Sequence, residues 1–371
     1  MSTSILPSRM RRGALGAVVL SSILALAGCG SDDHSPRLPE AGTANLVVLE
    51  TTDLHANLLS YDYFKLAEDK SVGFERTATL IRQARAEFSN TVLIDNGDTI
   101  QGTALADYQA LVSPVTCSAK LATYKAMDAI GYDAGTLGNH EFNYGLPYLA
   151  QVTGARFNVE GMPEPTAQPL CKGPDFPLAL ANVTSRKDGK PLYKPYVMLE
   201  RKISGVDKDG KAFEGTIKVA VIGFTPPPIL SWDKRWLDGK VDVQGVVEAA
   251  GKYVPMARAE GADLVIAASH GGFDSRTYSA TMENANYHLA KVAGIDGILM
   301  GHSHSEFPNA ACTTTDCNAS GVDKVKGSLH GVPAVMPSYW GKAIGVIQYS
   351  LEVKNGKWSV VRDKTQVSLR K

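Results

Sequence analysis

Seven side chains able to ligate a metal follow short apolar runs along this chain. Asp53 and His55 come after Leu46–Leu49, and Asp98 comes after Val92–Ile94. Asn139 stands beside His140 in Gly138-Asn139-His140-Glu141. His270 follows Leu264–Ala268, and His302 and His304 follow Gly297–Met300. Short continuous apolar runs of this kind read as buried strands. In open α/β sheets, ligands gather outside the carboxyl ends of the strands, so hard residues recurring after five strands predict one shared site. Asp53-Leu54-His55 and His302-Ser303-His304 each place two side chains on one side of an extended segment, where they could clamp a cation. Asp98 has two carboxylate oxygens and could bridge two cations. A pair of cations about 3.5–4 Å apart stabilises both the attacking and departing oxygens of an in-line displacement and acidifies a bound water. Mixed His, Asp and Asn ligation suits Zn, Mn or Fe better than a pure oxygen cage for Ca or Mg.

Taken singly, each residue has a plainer use. Asp53 and Asp98 could cap helices, Asn139 could serve a turn, and His270 could be an ordinary hydrogen-bonded residue. Order and spacing together carry the metal reading. His34, His288 and His330 stand outside any motif and read as surface or structural residues. Arg76 reads as a solvated cation, and Glu141 as a supporting residue rather than a base. Tyr144, Trp232, Phe273, Tyr339 and Trp340 could line a cleft, but core packing is the better reading for most of them.

The elements that must position these residues alternate strand, loop and helix. Phe74–Phe88 carries apolar residues at helical period, and Tyr124–Ile130 reads as a helix ending at Gly131. Gly154–Asp175 is rich in Pro and Gly and reads as a long loop. Val219–Phe224 is a buried strand ended by Pro226-Pro227-Pro228. Val246–Ala259 is a helix, with Gly261 closing it before the strand at Leu264. Val332–Met336, Ala343–Leu351 and Trp358–Val361 read as strands, the last two joined through Asn355-Gly356, a strong hairpin signal. Mixed strands with flanking helices predict an α/β fold, a four-layer α/β/β/α sandwich of two mixed sheets covered by helices. No internal repeat or second domain is visible.

The 371 residues carry formal charge zero, but Arg9, Arg11 and Arg12 lie in the first 28, leaving 35 basic against 38 acidic residues. That balance argues against a nucleic-acid coat and leaves cations, not a basic face, to attract an anionic substrate. The three arginines precede the apolar segment Ala14–Ala27, too short for a comfortable membrane span. Leu26-Ala27-Gly28-Cys29 resembles the lipobox of bacterial lipoproteins. That resemblance implies a signal peptide over residues 1–28, lipidation of Cys29 and membrane attachment through the lipid. Gly30 and Ser31 lack the acidic residue linked to inner-membrane retention, so outer-membrane attachment facing the periplasm is expected. Residues 29–44 read as a tether. Four cysteines remain, an even number that suggests disulfides in an exported protein. Cys312 and Cys317 flank a short polar loop that a bridge could close, which would leave Cys117 with Cys171. Zinc binding by these cysteines is the competing reading, without a Cys-x-x-Cys to support it.

The motifs occur in the order Asp-x-His, Gly-Asp, Gly-Asn-His-Glu, His, Gly-His-x-His, and this order resembles the calcineurin-like metallophosphoesterases over residues 45–365. Glu50–Asn57, Asp95–Gly102, Gly135–Gly145, Trp232-Asp233-Lys234 and Met336–Gly341 look most like the branch of 2′,3′-cyclic-nucleotide 2′-phosphodiesterase/3′-nucleotidases. The resemblance implies two divalent metal ions, one held by Asp53, His55, Asp98 and His304, the other by Asp98, Asn139, His270 and His302. It implies a catalytic His140 that helps the leaving oxygen depart. Many 5′-nucleotidases place Asp three residues after this His, whereas this chain has Asn143, as expected for the cyclic-phosphodiesterase branch. A neutral partner orients an imidazole without supporting its positive charge as a carboxylate would. The implied partner is a nucleotide or other small phosphoester. Proteins of this branch also carry a C-terminal base-binding domain, so residues 45–371 are expected to form the catalytic domain without that clamp. A 5′-nucleotidase or UDP-sugar hydrolase, and a lipid-anchored binding protein without turnover, remain alternatives.

Overall fold

The apolar run Leu46–Leu49 is buried on both faces and lies within the strand Ala41–Thr51. Alternation sends Leu46 and Val48 into one core and Val47 and Leu49 into another. The computed structural model describes residues 38–63 and 65–371. The expected signal peptide, Cys29 and His34 lie outside these residues. Ala41–Thr51 pairs parallel with Thr91–Asp95 and antiparallel with Ile344–Lys354. Thr91–Asp95 in turn pairs parallel with Ala134–Gly135. These strands form the first leaf. In the second, Ala212–Phe224, Leu264–Ser269, Gly297–Met300 and Val332–Pro337 run parallel in that order.

Three apolar cores produce the four layers. One lies between the leaves, with Leu46, Ile94, Val219, Ile266 and Tyr349. A second packs the helices Phe74–Glu87, Ala122–Ile130 and Leu146–Thr153 on the first leaf. The third packs Val246–Ala259 on the second leaf through Val246, Ala249, Ala250, Tyr253 and Val254. That spacing is an amphipathic helical stripe. Gly131 ends its helix in the left-handed conformation, φ 78°, where glycine carries no Cβ penalty.

Two features differ from the sequence expectations, and the disulfide pairing agrees with them. The first strand begins at Ala41, so residues 41–44 of the expected tether are paired, with Ala41 opposite Lys354 and Ala44 opposite Gly205. Polar flanks concealed that pairing. The strand Tyr196–Asp207 was not foreseen, because Glu200, Arg201 and Lys202 interrupt its apolar pattern. It pairs with both Ala212–Phe224 and Gly42–Ala44, so the two leaves are hydrogen-bonded into one continuous 14-stranded network at that corner. The structure pairs Cys117 with Cys171 and Cys312 with Cys317, which leaves none of the four as a thiolate for zinc.

Candidate metal centre and catalytic site

Five parallel strands deliver their following loops to one edge, and those loops leave extended geometry at once. Asp53, His55, Asp98, His302 and His304 all have positive φ, between 48° and 67°. Left-handed backbone at a non-glycine residue costs on the order of 1–3 kcal/mol and persists where the surroundings over-determine it. Here cross-loop hydrogen bonds do so. Asp53 N donates to Gly97 O at 2.9 Å and His55 N to Asp98 O at 2.8 Å. His302 N donates to the Asp53 carboxylate at 3.0 and 3.2 Å. Glu141, fully buried, accepts from the backbone N–H groups of Asp98, Thr99, Ile100 and Gly138 at 2.6–3.2 Å. One carboxylate thus ties two ligand-bearing loops together. Glycine is required beside them by close approach. A Cβ on Gly138 would lie 2.2 Å from Asp98 Oδ1, and one on Gly301 would lie 2.2 Å from Thr52 Oγ1.

The structure brings all seven sequence-predicted ligands, and His140, into adjoining clusters. Asp53, His55 and His304 form one group within 4.8 Å of one another, and Asp98, His270 and His302 another. Asp98 Oδ2 lies 3.0 Å from His270 Nε2 and 3.8 Å from His55 Nε2, between the groups. His304 Nε2 lies 3.2 Å from Asp53 Oδ1. Asn139 Oδ1 lies 2.8 Å from His302 Nδ1.

The hydrogen bonds on the outer nitrogens decide what the inner ones can do. His55 Nδ1 meets Gln101 O at 2.8 Å, and His270 Nδ1 meets Asn96 O at 2.7 Å. His302 Nε2 meets Glu283 Oε1 at 2.6 Å. Each partner only accepts, so each outer nitrogen carries the proton and the inner one presents a lone pair. His270 Nε2 has no hydrogen-bond partner and is completely buried. At His302, the lone pair of Nδ1 faces the carbonyl oxygen of Asn139. Two acceptors at that distance repel unless a cation or proton lies between them. The donor set therefore fits divalent cations, with Nδ1–H and Nε2–H groups anchored as metal-binding histidines usually are. Without a cation, protons take its place. Burial opposes protonation of His270, but Asp98 and Asp53 outweigh it and push its pKa up to about 10. Burial holds His55 and His302 below their ordinary value.

His140 stands at the edge of this group. Its ring lies 4.8 Å from that of His55, edge to face, and one of its ring nitrogens is within 4.8 Å of ligand atoms on His55 and Asp98. His140 Nδ1 and Asn143 Oδ1 are 2.6 Å apart, on one turn of 3₁₀ helix. Asn143 is therefore placed to orient the His140 ring.

A match to the calcineurin-like phosphoesterase family model covers residues 46–306. This chain belongs to the calcineurin-like phosphoesterases. Within the family, it is 41% identical over 333 residues to the 2′,3′-cyclic-nucleotide 2′-phosphodiesterase/3′-nucleotidase of Salmonella typhimurium, covering 88% of this chain and 46% of that protein. It is 41% identical to the trifunctional nucleotide phosphoesterase protein YfkN of Bacillus subtilis, covering 88% of this chain and 21% of that one. The crystal structure of calcineurin-like phosphoesterase YfkN from Bacillus subtilis aligns with a TM-score of 0.77 at 39% identity, covering 88% of this chain and 91% of that one. The chain thus spans less than half the length of the nucleotidase relative.

Other residues singled out in the sequence lie on the rim of these clusters or away from them. Trp232, 45% exposed, stacks on His302 at 5.5 Å, and Tyr339 stacks on His304 at 4.5 Å. Both are rim residues rather than core packing. Phe273 packs on Phe307, and Tyr144 donates to Asp107. Arg76 donates to Lys342 O instead of extending into solvent. His288 and His330 share contacts with Tyr287, apart from the ligand groups. Sequence reasoning missed Glu283, which has no motif around it, and gave no role to Asp233, although Trp232-Asp233-Lys234 stood out as a match.

Proposed function

We propose that this chain is a dinuclear metal-dependent phosphoester hydrolase acting on 2′,3′-cyclic nucleotides and 3′-nucleotides. The observation that carries the hydrolase reading is Asp98, whose carboxylate lies between two clusters of inward-facing imidazole lone pairs. Asp53, His55, Asp98 and His304 would hold one cation, and Asp98, Asn139, His270 and His302 the other. Zn, Mn or Fe suits that donor set. Bound divalent cations neutralise phosphoryl oxygens and acidify a water.

The chain's own groups supply the rest. Glu141 holds the Asp98 and Gly138 loops in register. Asn96 O, Gln101 O and Glu283 fix which nitrogen of each histidine faces inward. His140, anchored through Nδ1, presents Nε2 to the reacting centre and can protonate a departing alkoxide. The nucleotide preference is supported by the names and 41% identity of the relatives, and by Asn143 standing where 5′-nucleotidases often place Asp. The lipobox-like Leu26–Cys29 supports attachment through a lipid on Cys29 to the bacterial cell envelope, on the periplasmic side of the outer membrane. Among the described residues, no helix is long and apolar enough to cross a membrane.

Steady-state hydrolysis by Mn-loaded protein tests the reading. Turnover of 2′,3′-cyclic AMP and 3′-AMP in preference to 5′-AMP is expected. Preference for 5′-AMP would favour a 5′-nucleotidase. Two bound metals with no turnover of any phosphoester would leave a binding protein.

A further inference from the structure

We infer that Asp233 is a positioning residue for His140, completing a His140–Asn143–Asp233 chain in which the carboxylate sits one amide away from the imidazole. The inference rests on the hydrolase reading above for the role of His140, but its geometry is independent of it. Asn143 Nδ2 lies 3.0 and 3.1 Å from the two oxygens of Asp233. An ionised carboxylate only accepts, so these contacts require the NH₂ end of Asn143 to face Asp233. The carbonyl end must then face His140, and the 2.6 Å contact is His140 Nδ1–H donating to Asn143 Oδ1. Asp233 thus sets the orientation of an amide that could otherwise flip, and through it the tautomer of His140. With Nδ1 protonated, Nε2 is the nitrogen that gives or takes the catalytic proton.

The surroundings make this a built arrangement. Asp233 is only 4% exposed. It joins two short helices, Ile229–Trp232 and Lys234–Leu237. Its neighbours hold the same partner from the other side, since Trp236 Nε1 donates to the backbone carbonyl of Asn143 at 2.8 Å. The ring of Trp236 also lies against Gly145, where a Cβ would come within 3.0 Å of it. One segment therefore grips the backbone and the side chain of Asn143 together. No proton crosses the amide. Asp233 draws on the N–H bonds of Asn143, and negative charge grows on the Oδ1 that accepts from His140 Nδ1–H. Hydrogen bonds polarise one another in this way in a low-dielectric site. The arrangement places, at one remove, a carboxylate behind the neutral amide that meets His140.

Four proteins test this: wild type, Asp233→Asn, Asp233→Ala, and Asp233→Ala with Asn143→Asp. Each is loaded with Mn and assayed on 3′-AMP, which loses an alkoxide, and on a p-nitrophenyl phosphoester, which needs little protonation to depart. A general acid contributes about 10²–10⁴-fold. Losing its support should lower kcat on 3′-AMP by about tenfold or more, with little change on the nitrophenyl ester. Asp233→Asn keeps an acceptor without charge and should fall between wild type and Asp233→Ala. Asn143→Asp should restore part of the loss, because the carboxylate then meets His140 directly. The second readout is the ¹⁵N spectrum of histidine-labelled, metal-free protein at fixed pH. His140 should lose its Nδ1–H tautomer signature in Asp233→Ala and keep it in Asp233→Asn. Equal losses on both substrates, or an unchanged His140 signature in Asp233→Ala, would overturn the inference. Failure of the wild type on every phosphoester would instead overturn the hydrolase reading, while the spectrum would still decide the contact.

Discussion

Asp98 faces both histidine groups, whereas Asn139 meets His302 in one of them, so the two residues should differ in what their loss does to metal content. Asp98→Ala is expected to bind neither ion stably, and Asn139→Ala to retain about one ion per chain. Mass analysis of metal-loaded protein checks this; two ions in Asp98→Ala would sink the shared-ligand assignment. His270 gives a pH prediction for the metal-free protein. Burial works against its charge, but Asp98 and Asp53 raise the folded-state pKa to about 10. The unfolded value is near 6.5. A raised folded pKa contributes stability that is fully present below about 6.5 and is lost as pH rises through about 10. Chelated protein should therefore show a melting temperature that declines from neutral pH toward pH 10. Metal uptake at pH 8 should release a proton, because the cation displaces the one on His270. Calorimetry in buffers of different ionisation enthalpy measures that release; uptake of metal with no proton release would contradict the protonated His270.

At the scale of elements, the site depends on loops that turn sharply after buried strands. Gly138 lies between the strand Ala134–Gly135 and the 3₁₀ turn His140–Phe142. Its missing Cβ leaves room for Asp98 Oδ1 and for the ring of His270, which a methyl would approach to 2.2 and 2.7 Å. Overpacking of this kind typically costs about 1–3 kcal/mol. Gly138→Ala should therefore fold with a lowered melting temperature and bind less metal than wild type, because the added methyl displaces the shared carboxylate. Scanning calorimetry with metal analysis checks both, and wild-type metal content would show that the loop has slack. Gly131 tolerates the same change differently, since only the side chain of Arg85 lies within 4.0 Å of its Cβ position and the cost there is backbone strain.

Across the whole molecule, two stacked mixed leaves with a shared core bring loops from residues 53 to 304 to one edge. The strand Ala41–Thr51 joins both leaves and leads directly to Asp53. Cys29→Ser is expected to move the protein to the soluble fraction or to stall its processing, with specific activity of the purified protein unchanged. Fractionation with intact-mass measurement tests it; an unchanged mass and membrane fraction would remove the lipid anchor.

Local sequence was enough for the candidate ligand types, their places after strands and the helices that cover the sheets. Local periodicity and backbone preference act over a few residues, and both were visible around Leu46–Leu49, Val246–Ala259 and Gly131. The pairing of four cysteines was legible in part, because a short loop limits what Cys312 can reach. The tertiary structure alone decided which acceptor anchors each histidine, how Asp233 reaches His140 through Asn143, and where Trp232 and Tyr339 stand. The reason is separation along the chain. His55 and His304 meet across 249 residues, His270 meets Asn96 across 174, and Asn143 meets Asp233 across 90. No local pattern encodes those contacts. They exist because strand order and register place the loops side by side, and because the left-handed turns at Asp53, His55, Asp98, His302 and His304 aim the side chains at one another.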